Sequence, residues 1–326
     1  MTNHNKGFID LQVNGWCGVD FSEPSLTRSD FTRACQQILK SGTSAFLPTI
    51  VTSDMRVYEN NLPVIAHSIK EEEFGGRVLG VHIEGPFISP EDGARGAHPL
   101  QNVVEPDSFV LDRLIELSEG NIRLLTIAAE GRGADALTTH ASKKSICVSL
   151  GHQLAEESDL TAIAAAGAKA LTHLGNGMPA MINRHSNPLL SGLACDELTA
   201  MIITDGHHLP ASLIKVILRV KGTDRTIVTS DATALTGMPP GNYNMFGAVV
   251  TRDQSGKVYN PETGYLAGSG ATMLECMNHL TSLNLLTESE LIDIGFNNPL
   301  QLINMPKPSD ITPPEYDKSS NCFIIE

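Results

Sequence analysis

No stretch of the 326 residues is apolar for long enough to cross a bilayer, so a membrane-embedded enzyme is excluded as the expectation. The opening residues Met1-Thr2-Asn3-His4-Asn5-Lys6 show no signal-peptide pattern and lead into a strand, which points to the cytoplasm. Cys-x-x-Cys pairs are missing. The six cysteines (Cys17, Cys35, Cys147, Cys195, Cys276 and Cys322) are scattered, as reduced and mostly buried thiols would be. Positive charge is scarce: 23 Lys and Arg stand against 37 Asp and Glu, a formal net charge of −14. That balance argues against nucleic acid as a partner and obliges any anionic substrate to find its cations locally. Internal repeats and low-complexity domains are absent as well.

What is present is an alternation of apolar β-like runs and helical patterns. The runs fall at 8–14, 44–50, 78–84, 122–129, 145–150, 169–173, 199–204 and 226–231. Several are continuously apolar, such as Ala200-Met201-Ile202-Ile203, as in strands buried on both faces. Helical patterns lie between them, for instance over 29–40, stopped by Gly42, and 156–166, stopped by Gly167. Eight such runs are the number that closes a (β/α)8 barrel, with a doubly wound open sheet as the competing α/β architecture. After the eighth run, Asp253-Gln254-Ser255-Gly256-Lys257 sits between alternating residues, so a β-hairpin insertion is expected near 243–265. Helices over 271–283 and 288–297 follow, and 307–320 reads as an extended surface segment.

Chemistry gathers where the runs end. Glu84, His152, His173, His208 and Asp231 each close a separate one, the place where barrel enzymes collect their catalytic groups. Singly, each has a bland explanation: a strand-end histidine as a structural hydrogen-bond partner, Asp231 as a helix cap. Together they suggest a metal-dependent hydrolytic site. One carboxylate and two imidazoles (Glu84, His152, His173) suit zinc, and also iron, cobalt or manganese, with positions open for water. Such an ion makes hydroxide available near neutral pH. Asp231 is placed to take a proton from water and pass it to a leaving amine. His208 is placed to donate to a developing oxyanion, with its neighbour His207 a spectator. Asn176 and Gly177 follow His173 on a loop that can reach a sugar or amide. Arg184, His185, Arg95 and His98 are the motif-adjacent cations available to a phosphate.

In combination these motifs resemble the N-acetylglucosamine-6-phosphate deacetylase family of the amidohydrolase superfamily, over about 7–305. Gly7-Phe8-Ile9-Asp10-Leu11-Gln12-Val13-Asn14-Gly15 is similar to its first-strand signature, and Ile83-Glu84-Gly85-Pro86-Phe87 to its metal-binding glutamate motif. Gly151-His152 and Thr172-His173-Leu174 through Pro179 follow its two histidine motifs; Asp205-Gly206-His207-His208 and Ser230-Asp231-Ala232 follow its substrate-histidine and aspartate motifs. The resemblance implies a (β/α)8 TIM-like barrel of the metal-dependent hydrolase type. It implies metal at Glu84, His152 and His173, catalysis by Asp231 and His208, and substrate contacts from His98, Asn176, Gly177 and His208. It also implies Leu266, Ala267 and Gly268 at the acetyl end, and Arg184 or His185 at the phosphate, supplied across a dimer interface.

Three departures shape the expectations. Gln12 and Asn14 stand where most amidohydrolases carry His-x-His, so one divalent metal per subunit is expected, zinc first. The small β-sandwich usual in the family is expected to be largely missing, with 306–326 a C-terminal tail and remnant of it, whose end at 321–326 holds at most one strand. Gly175 and Gly177 replace larger loop residues, which leaves substrate identity open. The expected reaction is deacetylation of N-acetylglucosamine 6-phosphate by a homodimer. The alternatives are the N-acetylgalactosamine epimer and an inactive sugar-phosphate-binding homologue. Cyclic amidohydrolases and deaminases are disfavoured, because Ile127-Ala128-Ala129-Glu130 has no lysine to bridge metals after strand four.

Overall fold

The computed structural model describes residues 6–325 apart from Phe246. The stretch 1–5 read above as lacking a signal pattern, Phe246 in the inserted segment and Glu326 in the tail lie outside the described residues. Eight strands form one parallel sheet in strict sequence order: β1 (Phe8–Val13), β2 (Thr43–Val51), β3 (Val81–Glu84), β4 (Ile122–Ile127), β5 (Cys147–Leu150), β6 (Ala170–Leu171), β7 (Thr199–Ile202) and β8 (Thr226–Val228). Every residue of β1 and β2 is buried. Helices cover the outer face and opposing strands the inner one, and this two-sided burial is why the runs are continuously apolar. One helix follows each strand up to the seventh: α1 (Arg28–Ile38), α2 (Met55–Ile69), α3 (Ser108–Leu117), α4 (Ala134–Lys143), α5 (Glu157–Ala166), α6 (Pro188–Ala194) and α7 (Ala211–Lys221). Their starts are written locally: the side chains of Thr27, Asp54 and Asp107 accept the free N–H groups that open α1, α2 and α3. The eighth, α8 (Met273–Ser282), follows the insertion. A longer helical run then passes through Glu288–Ile292, a π-helical turn at Asp293–Asn297, and Asn298–Leu302.

The barrel closes where β1 meets β8, and the backbone contributes little there. Val13 bridges Ala232, and the Asn14 N–H donates to the Ala232 carbonyl at 2.7 Å. A side chain reinforces the seam. The buried Asp10 carboxylate accepts from the Thr229 hydroxyl at 2.7 Å, the Ser230 N–H at 3.1 Å and the Ser230 hydroxyl. It also accepts the Gln12 N–H on its own strand at 3.3 Å.

Two segments differ from the expectation. The insertion is a three-stranded antiparallel sheet, not a single hairpin: β9 (Gly241–Met245), β10 (Ala248–Arg252) and β11 (Val258–Tyr259). The 253–257 turn joins β10 to β11, with Asp253 Oδ1 accepting the Ser255 and Lys257 N–H groups. The unexpected strand, β9, reads Gly-Asn-Tyr-Asn-Met and has no apolar run to announce it. In the tail, β12 (Glu315–Asp317) forms within the stretch read as extended and pairs antiparallel with β13 (Cys322–Ile324), the one strand that 321–326 was expected to hold at most. The cause is Phe323. It is buried edge-on against Phe8 with ring centroids 4.9 Å apart, and its N–H donates to Asn278 Oδ1 at 2.7 Å. An aromatic anchor at the start of β1 therefore pins what would otherwise be a surface strand.

Candidate active site

Each reactive side chain sits where the backbone leaves its strand. Glu84 is the last residue of β3; His152, His173 and Asp231 come two or three residues after the ends of β5, β6 and β8. These last three share a conformation uncommon for residues with a side chain: φ is 51° at His152, 31° at His173 and 52° at Asp231. Glycines make room around them. Gly85 has φ of 87°, and a Cβ there would lie 2.1 Å from Thr52 Oγ1. A Cβ at Gly177 would come within 3.1 Å of both His152 and His173. The Asp231 strand end is followed by no helix, so the cap role does not apply.

The geometry is that of converging donor atoms. Glu84 Oε1 lies 3.0 Å from His173 Nε2 and 3.3 Å from His152 Nε2, and the two imidazole nitrogens are 3.0 Å apart. His152 Nδ1 donates to the Ala94 carbonyl at 2.8 Å, which leaves the lone pair of the neutral ring on Nε2. His98 joins the group. Its Nε2 is 3.2 Å from His152 Nε2 and 4.0 Å from Glu84 Oε2, while its Nδ1 pairs with Thr52 Oγ1 at 2.9 Å. Glu84, His98 and His152 each offer a ligand atom within 4.8 Å of the others. Nitrogens and a carboxylate oxygen this close, all buried, form a set that a cation would unite.

Two amides, Gln12 on β1 and Asn14 just past its end, hold the two carboxylates. Gln12 Nε2 donates to Glu84 Oε1 at 2.9 Å, and Asn14 Nδ2 to Asp231 Oδ1 at 2.7 Å. Burial raises the Glu84 carboxyl, but hydrogen bonds and charge from His152 and His173 outweigh it and hold the group well below the usual range. Asp231 goes the other way. Burial first, then the Glu84 charge, push it well above an ordinary carboxylate. Burial also lowers His98 to about 3 and His82, beneath Glu84 on β3, to about 4. Two neighbouring carboxyls pushed apart in this way suit different proton tasks.

One cavity gathers most of the expected residues: Glu84, His98, His152, His173, Asn176, Gly177, His208, Asp231, Leu266 and Gly268 all line it. Three do not. Ala267 is buried in the small apolar core under the inserted sheet, with Leu235, Met245 and Val258. Arg184 and His185 are exposed on the loop before α6 and contribute nothing to the cavity wall of their own chain. His207 turns away, its Nε2 3.2 Å from the Ser255 carbonyl of the insertion. The cavity also holds residues that sequence reasoning passed over, among them Asn14 as a lining residue, Met178, Ile203, Thr233 and Tyr265. Of these only Asn14 had a signal, its place in the altered first-strand motif.

The molecule is thus a (β/α)8 barrel with a buried carboxylate–imidazole cluster at its strand ends, where enzymes of this fold carry their active sites. No protein-family model matches the chain. It is 32% identical over 309 residues to N-acetylglucosamine-6-phosphate deacetylase of Danio rerio, covering 92% of this chain and 75% of that one. It is 29% identical over 299 residues to N-acetylgalactosamine-6-phosphate deacetylase of Escherichia coli O157:H7, covering 91% and 77%. Among solved structures, an aspartate-to-alanine variant of the Mycobacterium smegmatis N-acetyl-D-glucosamine-6-phosphate deacetylase, in complex with N-acetyl-D-glucosamine-6-phosphate, superposes with a TM-score of 0.84 at 26% identity. That match covers 92% of this chain and 78% of the other. The chain belongs to the N-acetylglucosamine-6-phosphate deacetylase family.

Proposed function

We propose that the protein hydrolyses the acetamide of N-acetylglucosamine 6-phosphate, giving acetate and glucosamine 6-phosphate. The observation that carries this reading is the buried cluster of Glu84, His152 and His173 facing Asp231 and His208 across one cavity. The donor set fits a divalent cation: one carboxylate oxygen and two imidazole nitrogens already converge, with the His152 lone pair directed inward. Zinc is our first assignment, with iron, cobalt or manganese also compatible, and the ratio is one ion per subunit because Gln12 and Asn14 offer amides in place of imidazoles. When bound, the ion supplies Lewis acidity that brings the pKa of water near neutrality.

The remaining work falls to the chain. Gln12 orients Glu84, and Asn14 orients Asp231. Asp231 takes a proton from the attacking water and returns it to the amide nitrogen as the carbon–nitrogen bond breaks. His208 donates a hydrogen bond to the acetyl oxygen as negative charge develops there. Asn176, Gly177 and His98 bound the sugar-phosphate side, and Leu266 and Gly268 the acetyl side.

Among the described residues that line the cavity there is no lysine or arginine. Arg184 and His185 project instead from a loop whose Met181 and Ile182 are exposed, Met181 at 90%. We therefore assign a homodimer in which this loop supplies the phosphate contact to the neighbouring subunit's cavity. The stretch 7–305 would be the catalytic unit and 306–326 its tail. A cytoplasmic location is consistent with six free cysteines. Among the described residues no helix is long and apolar enough to cross a membrane.

The N-acetylgalactosamine epimer is the second reading, favoured by the similarity to the Escherichia coli deacetylase named for it. Acetate release from both hexosamine phosphates, measured after loading zinc, iron and manganese separately, tests the assignment. Release from the glucosamine compound is the expected result. No release from either sugar with any ion would overturn it.

A further inference from the structure

Beneath the donor cluster the barrel interior is polar. Thr49 on β2, His82 on β3, Thr126 on β4, Ser149 on β5 and Thr172, the residue after β6, form one hydrogen-bonded row of buried side chains. His82 Nδ1 lies 3.2 Å from Thr49 Oγ1, and its Nε2 lies 2.8 Å from Thr126 Oγ1. Thr126 Oγ1 is 2.8 Å from Thr172 Oγ1, which in turn is 2.6 Å from Ser149 Oγ. No step of the proposed reaction uses any of the five. Branched apolar residues usually fill this part of a barrel. Hydroxyls in their place are stable only while each is partnered, and a row so partnered is rigid.

The row ends beside a ligand that lacks a support of its own. His152 is oriented through its ring, by the Nδ1 bond to the Ala94 carbonyl. His173 Nδ1 is buried and has no hydrogen-bond partner from any other described residue. Its contacts with Glu84 and His152 are made through Nε2, the nitrogen that a cation would claim. The direction of the His173 ring is therefore set by its backbone. There the β6 ladder has already ended at Leu171, and His173 turns off with φ of 31°. Side chains alternate along a strand, so a continued β6 would send 172 and 173 to opposite faces. The left-handed turn instead brings the ring into the cluster while the Thr172 hydroxyl reaches β4 and β5. Main-chain bonds flank the turn, from the Thr172 N–H to Leu150 at 2.9 Å and from the Leu174 N–H to Met201 at 2.8 Å. Gly151 permits the close seat, since a Cβ there would lie 2.8 Å from Thr172 Cβ.

We propose that Thr172 is a positioning residue: its hydroxyl, pinned between Thr126 and Ser149, fixes the backbone from which His173 presents Nε2 to the cation. The two imidazoles are thus steadied by different means, one through its ring and the other through the side chain before it. The proposal rests on the metal site assigned above.

The test measures zinc affinity, by competition with a chromophoric chelator, and the visible spectrum of the cobalt-loaded protein, both well below the melting temperature of each metal-free variant. Thr172→Val keeps the branched shape and removes the hydroxyl, whereas Thr172→Ser keeps the hydroxyl. Thr204→Val is the control: it removes a buried hydroxyl at the end of β7 that donates to the Cys276 carbonyl at 2.7 Å. Thr172→Val should weaken zinc binding by a factor on the order of 10 to 10² and shift the cobalt bands, as loss of an outer support of a metal ligand does. Thr172→Ser should restore parent affinity and spectrum, and Thr204→Val should lower the melting temperature with zinc affinity unchanged. Parent-like zinc affinity in Thr172→Val would overturn the proposal, as would an equal loss in Thr172→Ser or Thr204→Val. If Thr172→Val does not fold, Ser149→Ala removes one of the two pins and should weaken zinc about threefold or more, with unchanged affinity counting against the proposal. A parent protein that takes up neither zinc nor cobalt would remove the metal assignment itself, and the proposal with it.

Discussion

Asp231→Asn is the most informative single change. The carboxylate is buried, accepts one hydrogen bond from Asn14 at 2.7 Å, and sits in the field of Glu84. Asparagine keeps the size and an oxygen acceptor for that bond. It also tolerates the left-handed backbone, with φ of 52°, better than alanine would. Asparagine is neutral, like the protonated carboxyl that burial and the Glu84 charge favour, so stability should stay within about 1 kcal/mol of the parent. What is lost is the group proposed to hold the water's proton, and turnover should fall by a factor on the order of 10² to 10⁴. Three measurements separate the roles: kcat under saturating metal, bound metal by elemental analysis, and the melting temperature. Metal content and melting near parent values with collapsed kcat is the expected pattern. If kcat falls less than threefold, Asp231 is no proton carrier. If metal is lost in proportion to activity, it is a ligand instead.

Elemental analysis of the metal-saturated protein should give about one ion per chain, since amides at Gln12 and Asn14 compete poorly with imidazole; a ratio near two would refute the single-ion site. Asp10→Ala removes the acceptor for three donors of the β8 strand end and should cost about 3 kcal/mol, roughly 5 °C in melting temperature. An unchanged melting curve would show that the seam is held by other contacts. Arg184→Ala should raise KM for the phosphorylated sugar at least tenfold and leave unphosphorylated N-acetylglucosamine little affected. The same protein should sediment as a dimer, and an active monomer at nanomolar dilution would contradict the shared phosphate contact.

The barrel was legible because burial on both faces turns each strand into an apolar run, and the reactive groups because they terminate those runs. The ends were less legible. The run at 169–173 yields a ladder only over Ala170–Leu171, since His173 leaves the sheet with φ of 31°. That departure aims the side chain, and nothing in the residue order announces it. β9 escaped notice because Gly-Asn-Tyr-Asn-Met is held by pairing with β10 and not by its own apolar content. His98, expected as a substrate contact, also has its ring beside His152 and Glu84, brought there by a long loop after β3, a closeness that residue order does not announce. Tyr265 and Met178 reach the cavity from loops for which local pattern gives no direction.

The left-handed backbone at His152, His173 and Asp231 narrows how this rim can change. Bulky and β-branched residues are strongly disfavoured in that region, and asparagine, aspartate and histidine are the side-chain-bearing residues most at home there. Single substitutions at these positions are thereby filtered before any test of activity. Besides glycine and asparagine, the replacements that the backbone accepts best are aspartate and histidine, which can bind a cation or carry a proton. Variation at the rim is therefore steered either to loss of the group or from one such chemistry toward another, with bulky apolar surfaces mostly out of reach by one step. A selection for new substrates in this scaffold should recover changes at Met178, Ile203 and Tyr265, where φ is unremarkable, well before it recovers any at the three strained positions.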